Sequence, residues 1–417
     1  MELKRVVVTG IGLVTPAGST VHELLESIYG GKSGIRRIRH FDASHCRTQI
    51  AATVEGFDPG GLLTDKEIGR LDRATQMGLV AAQSALSNAG LLTNGRVSQG
   101  DSIGVVIGTG AGNIQTIERH FRDTGPEKAD TLCIPNGMNH ASAAYLSMRF
   151  GLRGFPLTVS TACSSGATAI GIALREIQCG AIRGALAGGV DAPITPDQLD
   201  LWGSLRTLSS WNGDADRAVK PFSRNRDGFV LGEGAMLLVL EELSSALARG
   251  GKIYGEVLGF GSSSDASHIT RPCAEGQALA MVRALESARV LPQQVSYINA
   301  HGTATRFNDR TETDAIKCVF GHCNPPPISS IKPITGHMIG ASGAAELAVA
   351  LLACGRRLIP PTCNYEEEDP DCDLDYVVEG PREADLDIVM SNSFAFGGHN
   401  AVLVAKGQNG GLDATEN

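Results

Sequence analysis

The 417-residue chain has no CxxC pair among its ten cysteines and no small-domain cysteine spacing. That excludes a disulfide framework as the natural reading and points to reduced, mostly buried thiols. Cys318, His322 and Cys323 lie close together, but no second ligand cluster has metal-site spacing, so no metal is expected. A GKS/T phosphate loop is missing as well. Gly10-Ile11-Gly12 runs on to Thr15 and Pro16, and Gly108-Thr109-Gly110-Ala111-Gly112 is followed by Asn113 where a third glycine belongs. Neither completes a dinucleotide fingerprint, so no nucleotide cofactor is expected. Net positive charge is absent: the formal charge is −9, which argues against a nucleic-acid partner. No apolar run approaches the roughly 18–20 residues that cross a bilayer. The opening MELKRVVVTGIG enters a strand without a signal-peptide layout. The expectation is a cytoplasmic protein with no membrane contact.

What the chain does contain is α/β patterning. Hydrophobic residues make up 42% and charged residues 19%, and the 51 glycines cluster in turns. Short β-branched runs alternate with alanine-rich amphipathic stretches. Strands are predicted over 4–9, 102–108, 157–161, 185–190, 236–241, 253–260, 295–300, 387–392 and 401–405. Helices are predicted over 21–29, 72–88, 142–150, 165–178, 275–288, 312–320 and 342–353. A strand–helix–strand succession closing on paired strands occurs twice, with a break near Arg249-Gly250-Gly251. Two similar halves of one body are expected, 1–250 and 251–410, followed by a polar tail over 411–417.

Three residues stand out chemically. Cys163, in VSTACSSGATAIGIA, falls at a strand-to-helix turn, where a helix N-terminus carries roughly +0.5 charge. An ordinary cysteine has a pKa of about 8.5, and this location is expected to lower it and favour a nucleophile. A buried structural cysteine is the competing reading. His301 follows an apolar strand in NAHGTATRFND, and strand carboxyl ends in α/β folds commonly border a site. His337 lies in KPITGHMIGASG, five residues after Lys332, which could pair with Glu346 on the next helix. Such a pair matters only if buried. Each histidine alone reads equally well as a loop residue satisfied locally. Together, a thiol and two imidazoles suit covalent acyl chemistry.

The motifs TACSSG, PFSRNRDGFVLGEGA, DASHIT, NAHGTATRFND, KPITGHMIGASGAAE and NSFAFGG resemble those of the β-ketoacyl-[acyl-carrier-protein] synthases of the thiolase superfamily, in order and spacing over nearly the whole chain. The type II elongating enzyme is the nearest pattern. The resemblance implies a five-layered αβαβα sandwich of two βαβαβαββ halves, working as a dimer with an identical or a related subunit. It implies decarboxylative Claisen condensation of an acyl thioester on Cys163 with malonyl carrier protein. No cofactor is implied, because substrates arrive on the phosphopantetheine arm of acyl carrier protein.

By the same resemblance His301 and His337 serve the malonyl thioester, Lys332 held by Glu346 orients them, and the N–H groups of Cys163 and Phe396 hold the thioester oxygen. Phe396 matches a gate, Thr303 and Thr305 (with Thr270 beside them) an arm-binding set, and Lys66, Arg70 and Arg206 a carrier-docking set. Ala111 and Cys133 stand where the family often has larger side chains, which implies a wider acyl pocket for long, bulky or unsaturated chains of fatty-acid, polyketide or polyene type. Ala395 replaces a glycine and His399 a threonine. A CoA thiolase would carry a second cysteine near Phe396-Gly397-Gly398-His399, where there is none. A starter-unit synthase would pair histidine with asparagine. A non-catalytic chain-length partner would lack Cys163.

Overall fold

The computed structural model describes residues 3–124, 131–321 and 325–408. Its backbone passes twice through the same series of elements. The first series is β1 (Val6–Val14), α1 (Arg73–Asn88), β2 (Ile103–Gly108), α2 (Ala141–Phe150), β3 (Pro156–Val159), α3 (Ser165–Gln178), β4 (Gly184–Asp191) and β5 (Gly234–Glu242). The second is β6 (Gly255–Ser264), α4 (Ala274–Ala288), β7 (Val295–Asn299), α5 (Arg306–Phe320), β8 (Ile328–Ser329), α6 (Ser342–Arg356), β9 (Ile388–Ala395) and β10 (His399–Gly407). Each reads βαβαβαββ.

The ten strands hydrogen-bond in the order β8-β7-β9-β10-β6-β1-β5-β4-β2-β3. In each half, three strands run parallel and two antiparallel toward the middle. The halves meet at β1 and β6 through only two residue pairs, Val7 with Glu256 and Val8 with Gly255. Helices α3 and α6 each touch strands of both halves, whereas α1 and α2 cover the first sheet and α4, with α5 packed beside it, the second. Five layers result, αβαβα, with the central helical layer the most deeply buried.

Local chemistry repeats with the topology. β1 presents Gly10 and Gly12 to α1, where an added Cβ would fall 2.3 Å from Ala85 O and 2.0 Å from Ala81 O. β6 presents Gly259 and Gly261 to α4, with Cβ positions 2.6 Å from Ala284 O and 2.1 Å from Ala280 O. The Gly-x-Gly that superficially suggests a nucleotide loop is thus a flat strand surface admitting a close helix. Within α6, Ser342 through Cys354 are all buried, which an alanine-rich helix between two sheets requires.

That burial corrects one expectation. Residues Ile339–Arg356 are long and apolar enough to cross a bilayer, with mean hydropathy 1.3, but 89% of the stretch is inside the protein. It is the core helix. All nine predicted strands and seven predicted helices are present. α5 differs most, starting at Arg306 rather than 312, because Thr305 Oγ1 accepts the Asn308 N–H and caps it. β10 also extends into the polar end, pairing Lys406 and Gly407 with β6. His322, Cys323 and the tail 411–417 lie outside the described residues.

Candidate active site

The nucleophile candidate sits on a strained turn. Ala162 has φ +49°, a left-handed conformation costly for a residue with a Cβ, and Cys163 follows it into the first turn before α3. Ser165 clamps that turn: its Oγ accepts the Thr161 N–H at 2.8 Å and donates to Ala162 O at 2.7 Å. The second half repeats the device. Ile339 has φ +47° and precedes Gly340, Ala341 and Ser342 at the start of α6. Gly340 therefore occupies the place of Cys163, and the two turns pack closely: a Cβ on Gly166 would fall 2.4 Å from Gly340 O.

This pseudo-symmetry delivers the histidines. His301 leaves the carboxyl end of β7, and His337 immediately precedes the Ile339 turn. The Cys163 sulfur and one nitrogen from each imidazole lie within 4.8 Å of one another. The imidazole centroids are 5.4 Å apart at 81°. Lys332 lies behind them, both it and Glu346 at most 2% exposed, with Nζ donating to Glu346 Oε1 at 2.5 Å and to His301 O at 2.5 Å. Its contact with His301 Nδ1 at 3.4 Å makes that nitrogen an acceptor and leaves the imidazole proton on Nε2. His337 Nδ1 bonds Ser342 Oγ at 3.0 Å, while its Nε2 has no hydrogen-bond partner among the described residues.

Burial dominates the electrostatics. Both imidazoles are held well below their usual pKa by desolvation first and the Lys332 charge second, so they are neutral at pH 7. The Cys163 thiol is pushed up to about 12 by desolvation, against the pull of Lys332. This reverses the expected lowering. Only 6% of Cys163 is exposed and it packs among Phe229, Leu208 and Ile339, so loss of water outweighs the helix terminus.

Cys163, His301 and His337 line one cavity together with Thr303, Thr305 and Phe396. Thr303 and Thr305 hydroxyls bond each other at 2.9 Å. Thr270 is exposed and reaches the same cavity from its rim. Phe396 stacks on Trp202 at 6.1 Å and 24°. Ala395 is extended, with φ −131°, and adopts that conformation without strain.

The remaining expected residues are elsewhere. Ala111 is half-buried and Cys133 buried at the start of a short helix, and neither is on this cavity's wall. Ala111 does adjoin the nucleophile turn, since a Cβ on its neighbour Gly110 would meet Ala162 O at 3.2 Å. Lys66 and Arg70 project from the exposed helix Asp65–Arg70, while exposed Arg206 adjoins the cavity residue Thr207.

Two interior carboxylates were not anticipated. Glu312 accepts the N–H groups of His301 and Gly302 at 2.9 Å each, fixing the His301 loop. Burial raises its pKa to about 7. Asp191 accepts from Thr109 Oγ1 and the N–H groups of Gly110, Ala111 and Gly340, tying the two halves together. Burial raises it to about 6. Asp191 ends an apolar strand and Glu312 sits three residues from buried Asp309, which were the available signals.

A thiol on a strained elbow facing two neutral imidazoles in a desolvated chamber defines a covalent acyltransferase of the thiolase-like condensing type. Comparison then fixes the family. Residues 3–246 match the Beta-ketoacyl synthase, N-terminal domain, and residues 254–366 the Beta-ketoacyl synthase, C-terminal domain. The chain is 42% identical over 412 residues to 3-oxoacyl-[acyl-carrier-protein] synthase 2 of Synechocystis sp., covering 97% of this chain and 99% of that one. It superposes on the ishigamide ketosynthase/chain length factor with TM-score 0.90 at 35% identity, covering 98% and 100% of the two chains. It superposes equally on a ketosynthase bound to the hexaketide and complexed with a type II polyketide synthase acyl-carrier protein, with TM-score 0.89, 31% identity and coverage of 98% and 100%. The chain belongs to the β-ketoacyl synthase family.

Proposed function

We propose that this enzyme lengthens acyl chains by two carbons through decarboxylative Claisen condensation on acyl carrier protein. The observation that carries the reading is the shared chamber of Cys163, His301 and His337. In the first half-reaction Cys163 Sγ attacks the acyl thioester, giving acyl-Cys163 and releasing the carrier thiol. A thiol held near 12 must lose its proton as it attacks, and that proton ends on the departing carrier thiolate. The N–H groups of Cys163 and Phe396 hold the oxyanion, each such donor contributing on the order of 3 kcal/mol.

In the second half-reaction malonyl carrier protein enters and its carboxylate leaves as carbon dioxide. The Nε2–H groups of His301 and His337 stabilise the enolate oxygen. The enolate carbon attacks acyl-Cys163, a carbon–carbon bond forms, and the thiolate leaves and takes up a proton. Lys332 and Glu346 orient His301, and Thr303, Thr305 and Thr270 hold the phosphopantetheine arm. The acyl carrier protein docks on Arg206, Lys66 and Arg70. No resident cofactor or metal is invoked: the Lys332 ammonium 3.4 Å from His301 opposes a second cation among the three side chains.

The reading extends to assembly and location. The enzyme works as a dimer in the cytoplasm, where its nine described free cysteines stay reduced. Its partner is a second copy, or a related subunit if the enzyme is the active half of a heterodimer. The similarity to a ketosynthase/chain length factor structure favours keeping that second form. Ala111 adjoins the nucleophile turn, where its small side chain leaves room for long, bulky or unsaturated chains, whereas Cys133 lies off the cavity wall. The test offers acyl carrier proteins of graded chain length with malonyl carrier protein and scores products by mass spectrometry. A two-carbon gain that depends on malonyl is expected, and Ala111→Phe should shorten the accepted chains. No malonyl-dependent gain with any carrier would overturn the assignment.

A further inference from the structure

Helix α4 turns an apolar stripe to the interior, and one residue on that stripe breaks the pattern. Ala280, Met281 and Ala284 pack in the core of the second sheet with Phe394, while Gln277, one turn earlier on the same face, is 0% exposed. Neither its Oε1 nor its Nε2 has a hydrogen-bond partner among the described residues. The backbone beneath it is fixed. A Cβ on Gly276 would fall 2.0 Å from Asp265 Oδ1, Ser263 Oγ donates to Gly276 O at 2.6 Å, and the Gln277 N–H donates to Cys273 O at 3.1 Å. The side chain borders the cavity of Cys163, Thr303 and Thr305, and α4 packs beside α5, which Thr305 caps.

A buried amide with neither donor nor acceptor engaged destabilises the free protein, and a leucine would fill the same place without that penalty. Among the described residues, the other buried side-chain atoms on this cavity without a partner are Thr207 Oγ1 and His337 Nε2, and the second serves the substrate in the reading above. Neighbouring polar side chains are engaged internally: Thr303 with Thr305, Asn308 with Glu312, and Asp265 with Asn400. We propose that Gln277 binds a secondary amide of the phosphopantetheine arm, its Nε2 donating to the arm's carbonyl oxygen or its Oε1 accepting the arm's N–H. The arm carries this chemistry, whereas a saturated acyl chain offers an amide no partner. The proposal rests on the carrier-arm reading above and deepens it by adding a binding residue from the other helix.

The test offers one saturated acyl group on two thiols: pantetheine, which carries secondary amides, and butanethiol, which carries none. Transfer to Cys163 is followed by intact mass over hours, in the unaltered chain and in Gln277→Leu, and equilibrium unfolding is measured on both proteins. With the pantetheine thioester, Gln277→Leu should lower the second-order loading rate about three- to tenfold, the loss being regained at saturating thioester. With the butanethiol thioester the two proteins should load equally. The unfolding midpoint of Gln277→Leu should hold or rise, because leucine removes an unpartnered amide. Equal losses on both thioesters, or no loss on either, would overturn the amide contact and leave Gln277 a packing residue. If Gln277→Leu does not fold, Gln277→Met, closer in length and equally unable to donate, decides by the same comparison. An unaltered chain that takes acyl mass on Cys163 from neither thioester overturns the underlying reading as well.

Discussion

Removing the carboxylate of Glu346 while Lys332 stays in place isolates the electrostatics beneath the histidines. The pair is 1% and 2% exposed, and Lys332 Nζ has no other anionic neighbour at hydrogen-bond distance among the described residues. In Glu346→Leu the ammonium keeps only the His301 carbonyl and Nδ1 as partners, inside a layer of alanine and leucine. An uncompensated buried charge of this kind costs about 3–5 kcal/mol, a large share of the roughly 5–15 kcal/mol that holds a domain folded. Lys332→Met/Glu346→Leu removes both charges at similar volume and should regain most of the loss, since apolar replacement of a buried pair is often neutral. Activity should not return with stability, because nothing then donates to His301 Nδ1. The double variant should load acyl groups yet condense poorly. Equilibrium unfolding in guanidinium at constant slope measures the first effect, and intact mass with a condensation assay the second. A double variant no more stable than Glu346→Leu would refute the electrostatic reasoning, and a fully condensing one would refute the role given to Lys332.

Other outcomes are equally specific. His337→Ala should impair condensation while leaving acyl transfer to Cys163 measurable by intact mass; equal loss of both steps would contradict the division of labour. Glu312 is raised from 4.5 to about 7, so the native state holds its proton more tightly than the unfolded chain does. Its contribution is complete below about pH 4.5 and is lost as pH rises to about 7, on the order of 3 kcal/mol in all. Glu312→Gln should flatten that part of the stability profile and lower condensation, because a neutral amide oxygen serves only one of the two N–H groups well. With the Cys163 thiol pushed up to about 12, alkylation by iodoacetamide should climb with pH from 7 to 9.5 without levelling. A plateau near pH 8 would show that the helix terminus outweighs burial.

The elements of the fold were legible because apolar periodicity is a local property, and the β-branched and alanine-rich runs announced each strand and long helix. The repeat was harder to see. It survives as Ala162 and Ile339 sharing one left-handed turn, and as Gly10-Ile11-Gly12 answering Gly259-Phe260-Gly261, but not as continuous identity. At the site, Cys163, His301 and His337 were visible because each residue type is chemically conspicuous at a small-residue turn. Glu312 and Asp191 were not, since a carboxylate in a polar stretch, as at Glu312, or at a strand end, as at Asp191, ordinarily belongs to the surface. The start of α5 was misread for the same reason: Arg306, Asn308 and Asp309 are polar, yet Asn308, Asp309 and Glu312 are buried, and Asn308 donates to Glu312, which holds the His301 loop. The thiol pKa went wrong because a helix terminus can be read from sequence, whereas a dry chamber assembled from residues 38 to 339 cannot.

The most direct test quenches the enzyme during turnover with acyl carrier protein and maps the acyl group by peptide mass spectrometry. The account predicts acyl mass on the Cys163 peptide, its disappearance on adding malonyl carrier protein as a two-carbon-longer 3-oxoacyl product forms, and no acyl adduct in Cys163→Ala. An acyl group found on another residue, or one on Cys163 that malonyl carrier protein fails to discharge, would contradict it.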